Sequence, residues 1–233
     1  MADTLSFKLT SYNIRKAIGR DGKRRPEQIL KVLNETHADI VVLQEADFRF
    51  NGRQAIFSAA DLLDQTGFAV IDVAPDAPGL GWHGNMLLLR PHFRVTSVSP
   101  ITLSGLEPRG AVISQIEIGT VQFNLIQAHL GLLPWHRRRQ VQALVDEIDP
   151  MQPTILAGDL NAVGKAPSSL APLNIHLNEV EIGPSFPTRW PCIHFDRIFH
   201  TKALRAIHSS VSDTPLARQA SDHLPVSARF TFT

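Results

Sequence analysis

Six places in this 233-residue chain put a side chain able to bind a cation or move a proton just where an apolar run stops. They are Asn13, Glu45, His129, Asp159 with Asn161, Asp196, and Asp222 with His223. The densest is Thr154-Ile155-Leu156-Ala157-Gly158-Asp159-Leu160-Asn161, a strand-like run closed by a carboxylate and a carboxamide. In an extended chain residues i and i+2 point to the same side. Asp159 and Asn161 are therefore expected to project together from the end of a buried strand, with Gly158 letting another backbone or a ligand approach. A carboxylate beside an amide suits a phosphate held by a hard divalent cation: the carboxylate binds metal or orients water, and the amide donates to a non-bridging oxygen. A strand running into an Asp/Asn turn would use the same residues without chemistry. Six such endings in one chain point the other way, because active sites are built where strand ends meet.

The elements that must position these groups are legible in part. Residues 5–14 alternate as a strand does and contain Asn13 near their end. Residues 15–25 are polar, basic and punctuated by Gly19 and Gly22, as expected of a surface loop at the mouth of something. Pro26 is placed to open a helix, whose apolar stripe is Ile29, Leu30, Val32 and Leu33. Residues 40–45 are a continuous apolar run with Glu45 at the tip, apolar on both faces and so expected inside a sheet. A second helix is expected over 54–66 and a third over 136–149, with strands over 68–73, 85–89, 93–103, 110–118, 121–129, 192–200, 204–211 and 224–232. Residues 74–84 read as a Pro/Gly loop carrying Trp82 and His83, and 163–187 as irregular chain. Strands outnumber helices about three to one and many run as hairpins. That pattern predicts two packed sheets with a few outer helices, not one doubly wound parallel sheet. No repeat or linker stands out, so residues 1–233 are expected to form a single domain.

Composition excludes several classes. At this length a chain buries roughly 70–75% of its unfolded surface and needs no disulfide or metal to hold its core. A hydrophobic content of 43% with 19% charged residues describes a folded globule rather than a disordered chain. Cys192 is the lone cysteine, which rules out an intramolecular disulfide. No apolar run approaches the ~18 residues of a membrane span, and no long h-region follows Met1, so the cytoplasm is the expected location. The net charge is +1; nucleic acid is a possible partner, but no global field recruits it.

Read together, the motifs Ser-Tyr-Asn-Ile-Arg (11–15), Leu-Gln-Glu-Ala-Asp (43–47), Gln-Ala-His-Leu-Gly (127–131), Ala-Gly-Asp-Leu-Asn-Ala-Val (157–163), His-Phe-Asp-Arg-Ile-Phe (194–199) and Ser-Asp-His-Leu-Pro-Val (221–226) resemble those of the endonuclease/exonuclease/phosphatase superfamily. They occur in family order from the first strand to the last. The resemblance implies a four-layer α/β sandwich, two packed mixed β-sheets flanked by helices, of the deoxyribonuclease I type. It implies a Mg²⁺- or Mn²⁺-dependent phosphoesterase, most simply a phosphodiesterase that cleaves a P–O bond of nucleic acid, a phospholipid headgroup or a small phosphodiester by in-line attack of water. The chain looks most like the small bacterial members of unassigned substrate.

By the same resemblance Glu45 is the main metal ligand, assisted by Asn13 and Asp222, a sparse set that suits a cation retaining its waters. Asp159 orients or helps deprotonate the water, and Asn161 holds a phosphate oxygen. His223 pairs with Asp196, which fixes its tautomer and raises its basicity. His129 faces the phosphate as a donor or general acid. Arg109 and Arg15 are candidates for holding the phosphate-ester substrate. Arg15 stands where apurinic/apyrimidinic endonucleases carry an acid, and their tyrosine near His129 is missing, which argues against that branch. The stretch His136 to Arg139 is expected to be a solvated face, or else to serve an anionic ligand. A binding module that kept the fold and lost the chemistry is the rival reading, but none of the carboxylates or histidines is missing. A zinc hydrolase would want closely grouped ligands, and no His-x-x-x-His or Glu-x-x-His pair lies near the motifs.

Overall fold

Ser6–Asn13 forms the first strand, β1, in a computed structural model that describes residues 5–48, 52–74 and 79–233. Its Phe7 and Leu9 enter one apolar cluster and Tyr12 another, so the strand is covered on both sides. A 3-10 turn (Arg15–Ala17) follows, then α1 (Pro26–Thr36), β2 (Ile40–Gln44), α2 (Ala59–Thr66), β3 (Ala69–Ile71), β4 (Met86–Leu89), β5 (Arg94–Leu103), β6 (Arg109–Ile118), β7 (Val121–His129), α3 (Pro134–Val145) and β8 (Thr154–Asp159). A second 3-10 turn (Ala171–Ile175), β9 (Asn178–Glu179), β10 (Asp196–His200), β11 (Leu204–Val211), α4 (Pro215–Ala220) and β12 (Val226–Phe232) complete the chain.

The strands make two six-stranded sheets, ordered β11-β12-β1-β2-β4-β3 and β5-β6-β7-β8-β10-β9. Each sheet holds one parallel pair, β1 with β2 and β7 with β8. A parallel neighbour needs a crossover, and α1 and α3 supply one in each sheet. The sheets face each other across Phe7, Leu9, Val42, Leu125, Ile155, Ile198 and Phe230, with Phe7 and Phe123 stacked at 4.8 Å. Ile29 and Leu33 of α1 cover Val41 and Leu43 on the outside of the first sheet, and Val141 and Leu144 of α3 cover Ile126 and Leu156 on the outside of the second. Each such side chain contributes about 1.5–3 kcal/mol by leaving water. These are the two packed mixed sheets with outer helices that the strand pattern called for.

The fold gathers strand ends at one edge for a simple reason. Both parallel pairs finish at the same edge, so Asn13, Gln44, His129 and Asp159 end neighbouring strands, with Asn13 opposite Gln44 and His129 opposite Asp159. β10 runs antiparallel to β8 and therefore starts there, with Asp196 opposite Asp159. β12 runs antiparallel to β1 and starts beside Ser11, which brings Asp222 and His223 to the same edge. The alternation that buries Phe7 and Leu9 between the sheets also turns Asn13 inward, and the one that buries Ile155 and Ala157 turns Asp159 inward.

Several expected boundaries shift. The helix expected over 54–66 starts only at Ala59, because Ser58 caps it by accepting from the Asp61 N–H at 3.0 Å. The chain just before it bends at Ile56 and Phe57, after Ala55 is bridged to Asp47. The strand expected over 192–200 begins at Asp196, since Ile193 pairs with Phe186 instead. The helix expected over 136–149 starts at Pro134 and ends at Val145. Part of the loop read over 74–84, residues 75–78, lies outside the described residues. α4 and β9 were not expected, being six and two residues long and too short for periodicity to register.

Gly158 is where the parallel pairing is tightest: a Cβ there would stand 1.9 Å from the Ala128 carbonyl oxygen on β7. Gly158→Ala is therefore expected to cost at least about 3 kcal/mol of stability, since neither strand can yield without breaking its ladder. Urea denaturation measures it, and a loss under about 1 kcal/mol would mean that the two strands separate easily.

Candidate active site

The convergence produces a buried polar cluster in which Asp159, Asp196 and His223 present ligand atoms all within 4.8 Å of one another. Asp159 Oδ2 accepts from Asn13 Nδ2 at 2.8 Å, so the first sheet reaches directly into the second. The same oxygen lies 3.5 Å from His129 Nε2 and 3.8 Å from His223 Nε2. On its other side His223 Nδ1 meets Asp196 Oδ2 at 2.8 Å, and Asp196 also accepts from the Ser185 hydroxyl. Phe186, 4.8 Å away, and Phe195, 6.1 Å away, wall the imidazole, and it is only 6% exposed. His223 thus sits between two carboxylates in an apolar sleeve.

Charge in this cluster follows from burial and proximity. Burial pushes the Asp159 carboxyl up to about 6, against the pull of the His223 charge and of the donors from Asn13 and Asn161. Burial opposes a charged His223, yet Asp196, Asp159 and Asp222 outweigh it and raise its pKa to about 10. At neutral pH, without metal, the ring carries a proton.

Asn161 reaches the site differently from the extended geometry expected of it. β8 stops at Asp159, and Asn161 is left-handed (φ 50°). The Asp159 Oδ1 accepts the Asn161 backbone N–H at 3.0 Å, so the pair forms an Asx turn. One N–H of the Asn161 carboxamide goes to the Leu130 carbonyl at 3.0 Å. The turn brings the two residues together where strand alternation does not.

His129 and Arg109 form a second group. The Arg109 Nη1 lies 2.8 Å from His129 Nδ1 and 2.6 Å from Nε2. A guanidinium only donates, so the ring nitrogen that receives it is an acceptor. Glu107 holds the other side of Arg109 from 2.9 Å at Nε. Arg109 is aimed by its strand: Gly110 pairs with His129 across β6 and β7, and Trp82 packs so tightly on Gly110 that a Cβ would meet it at 2.7 Å. Trp82 is a packing residue whose Nε1 donates to the Ile101 carbonyl at 3.0 Å, while His83 lines the hollow with Arg109 and His129.

Glu45, Asp222 and Arg15 lie at the more open rim. Strand alternation would send Glu45 outward with Val41 and Leu43, but β2 ends at Gln44 and Glu45 is left-handed (φ 54°). Its side chain is 26% exposed and paired with Lys16. Asp222 is 31% exposed and meets Arg15 Nε at 3.3 Å. Asn13 Oδ1 accepts the Arg15 backbone N–H at 3.0 Å. Glu45 and Asp222 offer carboxylate oxygens partly open to water and Asn13 a buried carboxamide oxygen, donor types that fit a hard divalent cation retaining its waters. The buried trio fits one less well, because His223 and Asp196 already bond each other.

Sequence reasoning missed Lys16, Ser185 and Glu107. Lys16 directly follows a motif and was legible as a loop cation, whereas Ser185 lies in irregular chain and carries no signal. The stretch His136 to Arg139 divides. Arg137 is buried and spends its donors on the carbonyls of Gly131, Leu132 and Asn161 and on the Ser169 hydroxyl, so it ties loops together and faces neither solvent nor a ligand. Arg138 and Arg139 are exposed. Two hollows of about 570 and 580 Å³ are lined by none of the candidate site residues.

A family model described as "Endonuclease/Exonuclease/phosphatase family" matches residues 10–223. No curated protein matches the chain significantly. Among solved structures, an endonuclease/exonuclease/phosphatase from Beutenbergia cavernae is 20% identical with a TM-score of 0.77, over 97% of this chain and 72% of that one. The catalytic domain of human Nocturnin with bound sulfate is 20% identical with a TM-score of 0.76, over 98% and 94%. The Bacteroides thetaiotaomicron mannosyl-6-phosphatase Bt3783 is 18% identical with a TM-score of 0.76, over 97% and 100%. At these identities the structures share the fold.

Proposed function

Because this chain belongs to the endonuclease/exonuclease/phosphatase family, we propose that it is a Mg²⁺- or Mn²⁺-dependent phosphodiesterase that hydrolyses a P–O bond by in-line attack of water. The observation that carries the reading is the buried chain Asp196–His223–Asp159, with 2.8 Å and 3.8 Å between successive partners, lying beside an open rim of oxygen donors. Burying three ionisable groups is unfavourable even when they are paired, and such clusters gather where their chemistry is used. Glu45, Asn13 and Asp222 would hold the metal. A bound divalent ion supplies charge to the phosphate oxygens and to the bond that breaks.

The chain's own groups divide the rest. Asp159 orients the attacking water, its carboxylate held by Asn13 and the Asn161 N–H. His223 takes the water's proton, with Asp196 holding its Nδ1 so that Nε2 faces the reacting side. Arg109, Asn161 and Arg15 bind phosphate oxygens, where a planar guanidinium fork matches the anion. His129 donates to the phosphate or the leaving group once Arg109 has turned to the substrate. Two histidines, one for the water and one for the leaving group, favour a diester over a monoester. The names of the neighbours, among them a mannosyl-6-phosphatase, indicate that this fold serves more than one phosphate ester.

A bis-aryl phosphate and its mono-aryl counterpart test the reading. Mn²⁺ or Mg²⁺ should support hydrolysis of the diester, EDTA should abolish it, and the diester should be preferred. Hydrolysis that survives EDTA would sink the metal dependence, and a preference for the monoester would move the assignment to a phosphatase.

A further inference from the structure

All three candidate metal ligands touch the same short turn. Arg15, Lys16 and Ala17 are consecutive left-handed residues, with φ of 46°, 55° and 57°. Side chains with a Cβ disfavour that conformation, and three in a row are held only by their surroundings. The Lys16 N–H donates to the Glu45 carbonyl at 3.1 Å and the Ala17 N–H to the Ile14 carbonyl at 2.7 Å. Outside the turn the Arg25 N–H caps the Ala17 carbonyl at 2.8 Å, and Arg24 Nε reaches the Lys16 carbonyl at 3.1 Å. The hand of the turn aims its side chains. Lys16 Nζ bonds the Glu45 carboxylate, Arg15 Nε lies 3.3 Å from the Asp222 carboxylate, and the Arg15 N–H occupies Asn13 Oδ1 at 3.0 Å.

We propose that Lys16 is an internal competitor for the divalent cation. Its ammonium neutralises Glu45 in the metal-free protein and must be displaced for the site to load. Arg15 does the same for Asp222 more loosely, since that pair is 41% and 31% exposed against 30% and 26% for Lys16 and Glu45. The consequence is selectivity by charge. A sodium or potassium ion brings no more charge than the tethered ammonium already there, so it gains nothing by replacing it. A divalent ion brings twice the charge and does. The lysine thereby sets a threshold of free metal below which the site stays closed with its own cation. The inference rests on the reading that Glu45 is the main metal ligand.

Titration calorimetry of EDTA-stripped protein with Mn²⁺ and with Mg²⁺ alone tests it and needs no substrate. Lys16→Met should bind metal about tenfold or more tightly than the wild type, because the ammonium that pairs with Glu45 no longer has to be displaced. Lys16→Gln, which keeps a polar tip, should move the same way and serves if the methionine variant does not fold. Lys16→Arg should stay near the wild type. Potassium chloride should weaken Mn²⁺ binding more in the neutral variants than in the wild type, since their carboxylate no longer has its own cation. Glu45→Gln separates the two readings. If it loses metal while Lys16→Met and Lys16→Gln bind no tighter than the wild type, the competitor role is overturned and Glu45 stands as the ligand. If Glu45→Gln binds metal like the wild type, the ion sits elsewhere and both readings fail.

Discussion

His223→Ala is expected to lower kcat by roughly 10²–10⁴-fold, the usual contribution of a positioned proton-transfer group. The fold should survive at reduced stability, because Asp196 at the start of β10 loses its 2.8 Å partner while the backbone pairing of β10 with β8 is untouched. Asp196→Asn should fall in the same direction, and the double variant should be little worse than His223→Ala, since the 2.8 Å bond makes the two act as a unit. Steady-state kinetics of the three variants measure this. Losses that multiply would break the pair into independent contributions.

The pH dependence adds a sign that can be checked. The carboxylates hold His223 at about 10, so the neutral ring that can accept a proton becomes more abundant with rising pH, and the rate should climb into the alkaline range. A bound metal ion pulls in the opposite direction and should bring that climb to lower pH. Stability of the metal-free protein should move the other way. The raised His223 pKa contributes stability fully present below 6.5 and lost as pH rises through about 10. The Asp159 carboxyl, raised from 3.8 to about 6, favours folding in its protonated form, and that contribution is lost as pH rises through about 6. Urea denaturation in EDTA should therefore show the alkaline part of this fall in the wild type and a flatter curve in His223→Ala.

Glu45→Gln carries the second large effect. The substitution keeps the shape and removes the charge, so β2 and the left-handed bend at its end should hold. Disturbing groups that merely support a metal ligand typically costs 10–100-fold in affinity, and removing the main ligand's charge should cost more than about 100-fold. Metal affinity by calorimetry and activity at saturating metal should fall together. Wild-type affinity in this variant would end Glu45's assignment.

The candidate site residues were legible along the chain, and so were most of the strands that carry them. The 40–45 run is apolar on both faces, and such a run is buried wherever it goes, so a carboxylate at its tip had to emerge at a sheet edge. The alternation of Phe7, Leu9 and Asn13 likewise determined which way Asn13 faces once one side of the strand met the second sheet. What alternation does not carry past the end of a strand, tertiary structure decided. Glu45 and Asn161 both turn left-handed just where their strands stop, and only the contacts of the surrounding loops select that backbone. Arg137 looked like a solvated charge because a sequence does not say which loop carbonyls will be left without partners until the loops close over them. Ser185 and Lys16 meet Asp196 and Glu45 across 11 and 29 residues of sequence, and those contacts are set by the pairing of β1 with β2 and by the bridge of Phe186 to Ile193 ahead of β10, which no local pattern encodes.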